Sequence, residues 1–225
     1  MGVDYTKRPA PPPAESAAPA TGGKVTLTKS APSVSLTKQG SADGVLRVNL
    51  NWDARPAGGG GGFLKRLAPA LDLDLGCLYE FTDGTKGVVQ ALGNAFTASP
   101  RGVRDDVIRL DGDDRSGRNE GGENLLVNLA YANQIKRIMV FALIYEGAAN
   151  WAAANGVVTL YPASGPQVEV RLDDPRDGAR ICGIAMLEST GGDLSVRREV
   201  NYINGGQRAL DEAYGWGMNW TAGRK

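Results

Sequence analysis

The sequence contains no histidine among its 225 residues. Histidine is the usual proton shuttle at neutral pH, a common zinc ligand, and the base that activates serine and cysteine nucleophiles. Its absence weighs against a hydrolase and against an imidazole-bound zinc site. We therefore do not expect a hydrolase that depends on histidine.

The chain also lacks a disulfide framework and a net charge. Its two cysteines, Cys77 and Cys182, are far apart within apolar segments, which predicts two small core residues in a reducing compartment. The 25 basic and 25 acidic residues balance, so no overall field draws the chain onto nucleic acid. Nucleic acid is not an expected partner.

No apolar run is long enough to cross a bilayer. The longest, residues 138–145, is far shorter than the roughly 20 residues that a spanning helix needs. Residues 1–23 are polar and rich in proline and alanine, unlike a secretory leader. We expect a cytoplasmic protein with a disordered tail over 1–23 and one domain over 24–225.

Short segments of alternating polar and apolar residues fill this domain, separated by glycine, asparagine and aspartate. This pattern predicts an all-β fold, a β-sandwich of two mainly antiparallel sheets with few short helices. Residues 24–29 and 33–38 resemble each other and predict either edge strands or a hairpin. Further strands are predicted at 45–52, 71–81, 87–92, 106–110, 124–130, 137–145, 156–161, 167–172, 179–188 and 193–202, and helices at 131–136, 148–155 and 207–214.

Two acidic segments together have the composition of a calcium site. In the strand L-D-L-D-L, Asp72 and Asp74 project from the same face about 7 Å apart. The stretch 110–124 is rich in glycine, and 105–123 holds seven acidic residues against three arginines. Calcium takes 6–8 oxygen ligands, which such a loop can supply from carboxylates and backbone carbonyls. The loop carboxylates are Asp111, Asp113, Asp114, Glu120 and Glu123.

Each of these features also has a simpler interpretation. An acidic loop is often only solvated, and Asp72 and Asp74 could face water on a half-buried strand. Glu146 could add a carboxylate or cap the turn that follows it. The C-terminal G-W-G-M-N-W segment, 215–220, could form a strand that closes the core or present aromatics to a partner, and the usual burial of large apolar groups favours the core.

Four sequence blocks in order resemble the TerD-domain family of tellurium-resistance and stress-response proteins. They are L-D-L-D-L-G-C from Leu71, S-P-R-G-V from Ser99, G-D-D-R-S-G-R-N-E-G-G-E-N from Gly112, and I-K-R-I-M-V-F-A-L-I-Y-E-G-A from Ile135. The resemblance covers residues 34–220. The C-terminal R-R-E-V-N-Y and G-G-Q-R-A-L-D-E-A-Y-G-W-G segments are most similar to its TerA-like branch.

The resemblance implies a calcium-binding, non-catalytic β-sandwich that acts as a scaffold or signalling module in bacterial tellurite resistance. It implies as partners other proteins of the tellurium-resistance operon, membrane-associated ones among them, and a peripheral place at the inner membrane through them. Carried over by position, the calcium ligands would be Asp72, Asp74, Asp113, Asp114, Ser116, Gly117, Glu120 and Glu123.

The chain departs from the family pattern at several acidic positions. Ala70 stands where the family has the first aspartate, and Asn119, Gly122 and Asn124 replace glycine, aspartate and glutamate. Fewer charged ligands predict weaker or fewer calcium sites. The alternatives are an interaction module that binds no metal and, with less support, a phosphoesterase that uses the acidic cluster with a divalent ion.

Overall fold

The computed structural model describes residues 25–26, 33–35, 44–52, 71–112, 121–164, 166–190 and 193–221. The predicted tail over 1–23 lies outside these ranges, so the predicted domain division stays a prediction. Within them the strands are β1 (Val25–Thr26), β2 (Ser33–Ser35), β3 (Val45–Asn51), β4 (Asp72–Phe81), β5 (Lys86–Val89), β6 (Thr97–Ala98), β7 (Ile108–Leu110), β8 (Glu123–Asn128), β9 (Ile135–Glu146), β10 (Gly156–Tyr161), β11 (Val168–Leu172), β12 (Ile181–Thr190) and β13 (Asp193–Ile203).

The strands form two sheets. Sheet 1 has the order β1-β11-β10-β3-β8-β7-β6, and sheet 2 has the order β2-β13-β12-β9-β4-β5. Neighbouring strands are antiparallel except β1 and β11, which are parallel. The predicted all-β sandwich of two mainly antiparallel sheets is confirmed.

The two sheets differ in how many of their faces are buried. In β8 burial alternates, with Glu123, Leu125 and Val127 buried and the residue after each of them half-buried, as expected for a sheet with one face toward solvent. In β4 and β9 both faces are largely buried. A second apolar cluster covers the outer face of sheet 2, and it contains Leu78, Met139, Phe141, Ile181, Met186, Leu210 and Trp216.

The helical segments are short, as predicted. Helix α1 (Trp151–Ala154) begins at Asn150, whose side chain accepts a hydrogen bond from the Ala153 amide. Helix α2 (Gln207–Tyr214) has the predicted bounds and ends at Gly215 in the left-handed conformation. A 3-10 helix, Leu129–Gln134, overlaps the helix predicted over 131–136. None of the helices in the described part of the chain is long and apolar enough to cross a membrane.

The structure also tests how the first two strand segments pair, whether any strand was missed, and whether the C-terminal aromatic segment forms a strand. The similar segments that contain β1 and β2 do not form a hairpin, because each lies at the edge of a different sheet. The edge alternative is therefore confirmed. No strand was predicted at β6, which has only two residues and too little pattern to detect. Residues 216–220 form no strand, but Trp216 is buried against sheet 2.

Both cysteines are free and fully buried within the sheets. Burial raises the pKa of the Cys77 and Cys182 thiols well above their ordinary value because it disfavours the thiolate. They are core residues, as the sequence predicts.

Candidate metal centre

The two acidic segments converge at one end of the sandwich. There β3 ends beside the beginning of β8, with Leu50 opposite Glu123. The beginning of β4 lies close by, because the Trp52 indole donates a hydrogen bond of 3.2 Å to the Leu71 carbonyl. Strand β7 also ends here, with Leu110 opposite Leu125. Strands β3 and β7 therefore end, and β4 and β8 begin, at the same end of the sandwich.

Hydrogen bonds close the base of the acidic loop. The Asp111 carboxylate accepts from the Asn124 amide at 2.9 Å and from the Asn124 side chain at 2.8 Å. The Asp111 amide donates in turn to the Asn124 carbonyl at 2.9 Å. Asn49 on β3 donates from its side chain to the Gly121 carbonyl and to Asn124 Oδ1. The charge of Asp111 is thus used to fix the loop base.

Gly122 allows the loop to re-enter the sheet. Its φ is +61°, a left-handed conformation that favours glycine, and a Cβ atom there would lie 2.1 Å from the Leu50 carbonyl oxygen. The glycine at this position, where the resemblance implies an aspartate, therefore has a structural reason. A carboxylate side chain could not be placed there without moving β3.

Asp72 and Asp74 are buried on one face of β4. Leu73, Leu75 and Cys77 belong to the main core between the sheets, so by alternation the two aspartates point away from it. Their exposed fractions are nevertheless 7% and 3%. The alternative in which they simply face water is wrong. Buried carboxylates require compensating donors or cations, since burying an isolated charge costs several kcal/mol.

Glu123 joins the acidic loop to this strand. Its side chain is 1% exposed, and its carboxylate accepts a hydrogen bond of 2.7 Å from the backbone amide of Leu75, the residue that follows Asp74. Strand β5 pairs with β4 only from Cys77 onward, so among the described residues no strand pairs with the beginning of β4 on that side. A carboxylate from sheet 1 therefore reaches the edge of sheet 2 next to the two aspartates.

The remaining predicted ligands are not described. Asp113, Asp114, Ser116, Gly117 and Glu120 lie in the segment 113–120, outside the described ranges. Within those ranges, no three acidic or cysteine side chains come close enough together to hold a metal ion. Asp72, Asp74 and Glu123 thus form no complete site by themselves. Glu146, exposed at the end of β9, is opposite Asp72 in the strand register, and Asn150 rather than Glu146 caps α1.

The donor chemistry at this end fits calcium. The side chains that converge offer carboxylate oxygens, which hard cations prefer, and the chain has no histidine to attract zinc or copper. The residues present therefore match calcium in chemical type. The completed coordination set depends on the loop 113–120, so the calcium site stays a prediction.

Comparison with known proteins identifies the family. No family model matches the chain. It is 40% identical over 204 residues to a tellurium resistance protein TerA from an Alcaligenes species, a match that covers 90% of this chain and 58% of the relative. This chain belongs to the tellurium-resistance (Ter) family. The predicted resemblance is confirmed, and the chain spans less than two thirds of the length of this relative.

A solved structure of a Ter-family homologue shares the fold. It is a crystal structure of a homologue of the telluride resistance protein TerD from Streptomyces coelicolor A3(2), matched with a TM-score of 0.51 over 75% of this chain and 95% of that one. The two sequences are 20% identical, so this likeness shows the architecture alone.

The same end of this Ter-family chain carries another acidic loop that the sequence analysis missed. The connection from β11 to β12 contains Asp173, Asp174 and Asp177. The Arg176 guanidinium is hydrogen-bonded to Asp174 and holds the pKa of that carboxyl below its ordinary value. The charge of Asp174 is therefore matched locally. The sequence D-D-P-R-D over 173–177 could have indicated this acidic loop. The arginine within it favours an ion pair with an aspartate over a metal ligand.

Proposed function

We propose that this chain is a calcium-binding, non-catalytic component of bacterial tellurite resistance and stress response, where it acts as a scaffold or signalling module. Its Ter-family membership supports the resistance role. One contact in particular supports calcium binding. The Glu123 carboxylate reaches from the acidic loop to the Leu75 amide, beside the buried Asp74.

In this proposal Asp72 and Asp74 on β4 and Glu123 on β8 contribute oxygens from the two sheets. They are not close enough together to hold an ion as a group of three, so binding also requires oxygens from the loop 113–120. A bound calcium ion would contribute positive charge that offsets the mutual repulsion of these carboxylates. The residues at the loop base act by positioning, since Asp111, Asn124 and Asn49 fix where the loop leaves and re-enters the sheet. A loop closed at its base loses less conformational entropy when a ligand orders it.

The departures from the family pattern set the expected affinity. Ala70, Gly122 and Asn124 provide no carboxylate where the TerD-type pattern has one, and Asn119 replaces a glycine. The Asn124 side chain is also hydrogen-bonded to Asp111. Calcium affinity falls as charged ligands are removed. We therefore propose a single site with a dissociation constant near the weak end of the sensor range, on the order of 10 µM.

Partners and location belong to the same proposal. The TerA relative extends well beyond the matched region, since only 58% of it is covered. We propose that the chain works with other products of the tellurium-resistance operon in the cytoplasm, and reaches the inner membrane through them. Ordering of the acidic loops by calcium would present the surface that such partners contact.

Titration calorimetry of the calcium-stripped chain tests the metal proposal. Asp74→Asn should abolish most of the heat because it removes a buried carboxylate at the site. Asp106→Asn is a matched control, since Asp106 is an exposed aspartate on the connection before β7, at the opposite end of that strand. Growth on potassium tellurite of a deletion strain complemented with each variant tests the resistance role separately.

The competing function is a metal-free interaction module. The loss of several family carboxylates favours it, because each loss makes a calcium site harder to complete. It predicts no calcium heat in the wild-type chain, with tellurite resistance equal for wild type and Asp74→Asn. Turnover of a phosphoester with magnesium or manganese would contradict both functions and revive a catalytic one.

A further inference from the structure

A polar cleft lies on the outer face of sheet 1, between β3 and β10. Val48 and Leu50 of β3 belong to the main core. By alternation Asn49 and Asn51 therefore point to the outer face. On β10 the side chain of Thr159 points to the same face, because Thr159 is paired directly opposite Asn49.

The cleft has the size of a site for a small molecule. Its volume is about 330 Å³, at the lower end of the range of 300–1,000 Å³ that is typical of ligand sites. Two cross-strand pairs line it, Asn49 with Thr159 and Asn51 with Val157. Tyr161 also lines it, two residues beyond Thr159 along β10. A space of this size suits a small molecule better than a protein partner.

Two of the side chains that line the cleft are polar, more than nine-tenths buried and incompletely hydrogen-bonded. Thr159 is 9% exposed, and in the described part of the chain its hydroxyl has no hydrogen-bond partner, although it is not sealed away from solvent. Asn49 is 7% exposed. Its Nδ2 donates to the Gly121 carbonyl and to Asn124 Oδ1, whereas its Oδ1 accepts no hydrogen bond from any residue that the structure describes. Because buried polar groups are normally paired, both oxygens are suited to a ligand in the cleft.

Two further polar groups lie at the edge of the cleft. The Asn51 side chain is exposed, and the Tyr161 hydroxyl belongs to a half-buried residue. Neither side chain makes a hydrogen bond to another described residue. The Arg47 guanidinium lies 3.9 Å from the centroid of the Tyr161 ring and holds that ring in place. The cleft therefore presents amide and hydroxyl groups from two adjacent strands on one surface.

None of the described side chains that line the cleft carries a charge at neutral pH. Two charged groups flank it, and both are engaged within the sheet. The Arg47 guanidinium donates to the Asn124 amide oxygen at 3.1 Å, and Glu169 lies 3.7 Å from the Arg171 guanidinium. A charged ligand would lose hydration in the cleft without gaining an ion pair there. The cleft therefore favours an uncharged ligand.

We propose that this cleft binds a neutral, hydroxyl-rich small molecule, a monosaccharide unit. A sugar hydroxyl both donates and accepts hydrogen bonds, and side-chain amide and hydroxyl groups do the same. Adjacent hydroxyls of one sugar ring would therefore pair with Asn49, Asn51 and Thr159. The C–H groups of the ring would pack against Trp52 and Val157, which also line the cleft. The site is formed by β3 and β10, so sugar binding does not depend on calcium.

Saturation-transfer NMR on the full chain tests this site, with EDTA present so that the result is independent of the calcium proposal. The neutral probes are glucose, galactose, mannose, N-acetylglucosamine and trehalose, and the charged probes are glucuronate and glucosamine. We expect saturation transfer to at least one neutral sugar and much less to the charged ones. On titration of that sugar into the wild-type chain, the backbone amide signals of residues 49–51 and 157–161 should shift.

Two variants each remove one of the proposed hydrogen bonds to the sugar. Asn51→Ala removes an exposed amide, and Thr159→Val replaces a hydroxyl by a methyl group on a strand that favours valine. Each should weaken binding roughly fivefold, as expected for the loss of one hydrogen bond between neutral groups. Thr97→Val is the matched control, because Thr97 is exposed on β6, at the edge of the same sheet and several strands away from the cleft. It should leave binding unchanged.

Absence of saturation transfer to every neutral sugar would overturn the proposal. Transfer to glucuronate or glucosamine alone would overturn it as well, since the ligand would then be charged. Wild-type affinity in both Asn51→Ala and Thr159→Val would show that the sugar binds elsewhere. Amide shifts confined to residues outside β3 and β10 would show the same in the wild-type chain, without reliance on the folding of any variant.

Discussion

Replacement of Glu123 by glutamine separates the two roles that its carboxylate has in the proposal. The amide oxygen of glutamine still accepts the hydrogen bond from the Leu75 backbone, which the carboxylate accepts at 2.7 Å. The negative charge is lost. Without calcium we therefore expect Glu123→Gln to unfold within about 1 kcal/mol of the wild type, because only the charge changes at a site that keeps its shape.

With calcium the two proteins should differ. At 1 mM calcium and a dissociation constant of about 10 µM, binding to the folded state stabilises the wild type by about 2.7 kcal/mol. For a domain of this size that is a rise in melting temperature of roughly 5–11 °C. If Glu123→Gln weakens binding about a hundredfold, the gain falls to about 0.4 kcal/mol, or roughly 1–2 °C.

Differential scanning fluorimetry in EDTA and in 1 mM calcium measures all four values, with Asp106→Asn as the control that removes an exposed charge. A wild-type melting temperature that does not respond to calcium would refute the metal site. An equal calcium response in Glu123→Gln would show that this carboxylate is not a ligand. A strongly destabilised Glu123→Gln in EDTA would show that its charge serves the fold itself.

Three further predictions concern the loop base, the C-terminal segment and the thiols. Gly122→Ala should lower the free energy of unfolding, measured in urea, by at least about 3 kcal/mol, because a Cβ would clash with the Leu50 carbonyl. Gly84 also has a positive φ but has open space around it, so Gly84→Ala should lower that free energy by only about 1 kcal/mol. Asp211→Asn should cost about 3 kcal/mol, since hydrogen bonds to a buried charge are worth more than neutral ones, while the exposed Glu212→Gln should be neutral. Burial raises the pKa of the Cys77 thiol. Above about pH 8.5 the unfolded chain therefore loses a proton that the folded chain keeps, which lowers the free energy of unfolding. The urea concentration at the unfolding midpoint should decrease as the pH is raised from about 7.5 to about 9.5, and it should decrease less in a Cys77→Ala variant.

Local patterns in the sequence located most of the elements. Strand β10 and helix α2 have the predicted bounds, because alternation, helical spacing and flanking asparagine and glycine act over a few residues. Strand pairing could not be predicted in this way. The segments that contain β1 and β2 are nearly the same in sequence and yet join different sheets, since partner choice depends on where the chain travels between them.

The candidate site was predictable in part for the same reason. The period of a strand places Asp72 and Asp74 on one face, as the sequence indicates. Their burial depends on distant parts of the fold, and so does the contact of Glu123 with a backbone amide 48 residues earlier. Asp111 shows the limit most clearly. An aspartate at this place in an acidic loop is typical of a calcium ligand, but its carboxylate is hydrogen-bonded to Asn124 and fixes the base of the loop.

Glu123 also explains why metal binding at this end should affect the whole domain. It lies on β8 of sheet 1, and the amide it binds belongs to β4 of sheet 2. The sheets of a sandwich are held together mainly by apolar contacts across a gap of about 10 Å, so a polar link at the corner where two strands approach joins them directly. An ion bound by the loop 113–120 together with Glu123 of sheet 1 and an aspartate of β4 would link both sheets. Because unfolding must separate the sheets, its binding energy would count toward the stability of the complete sandwich and not only toward the order of one loop.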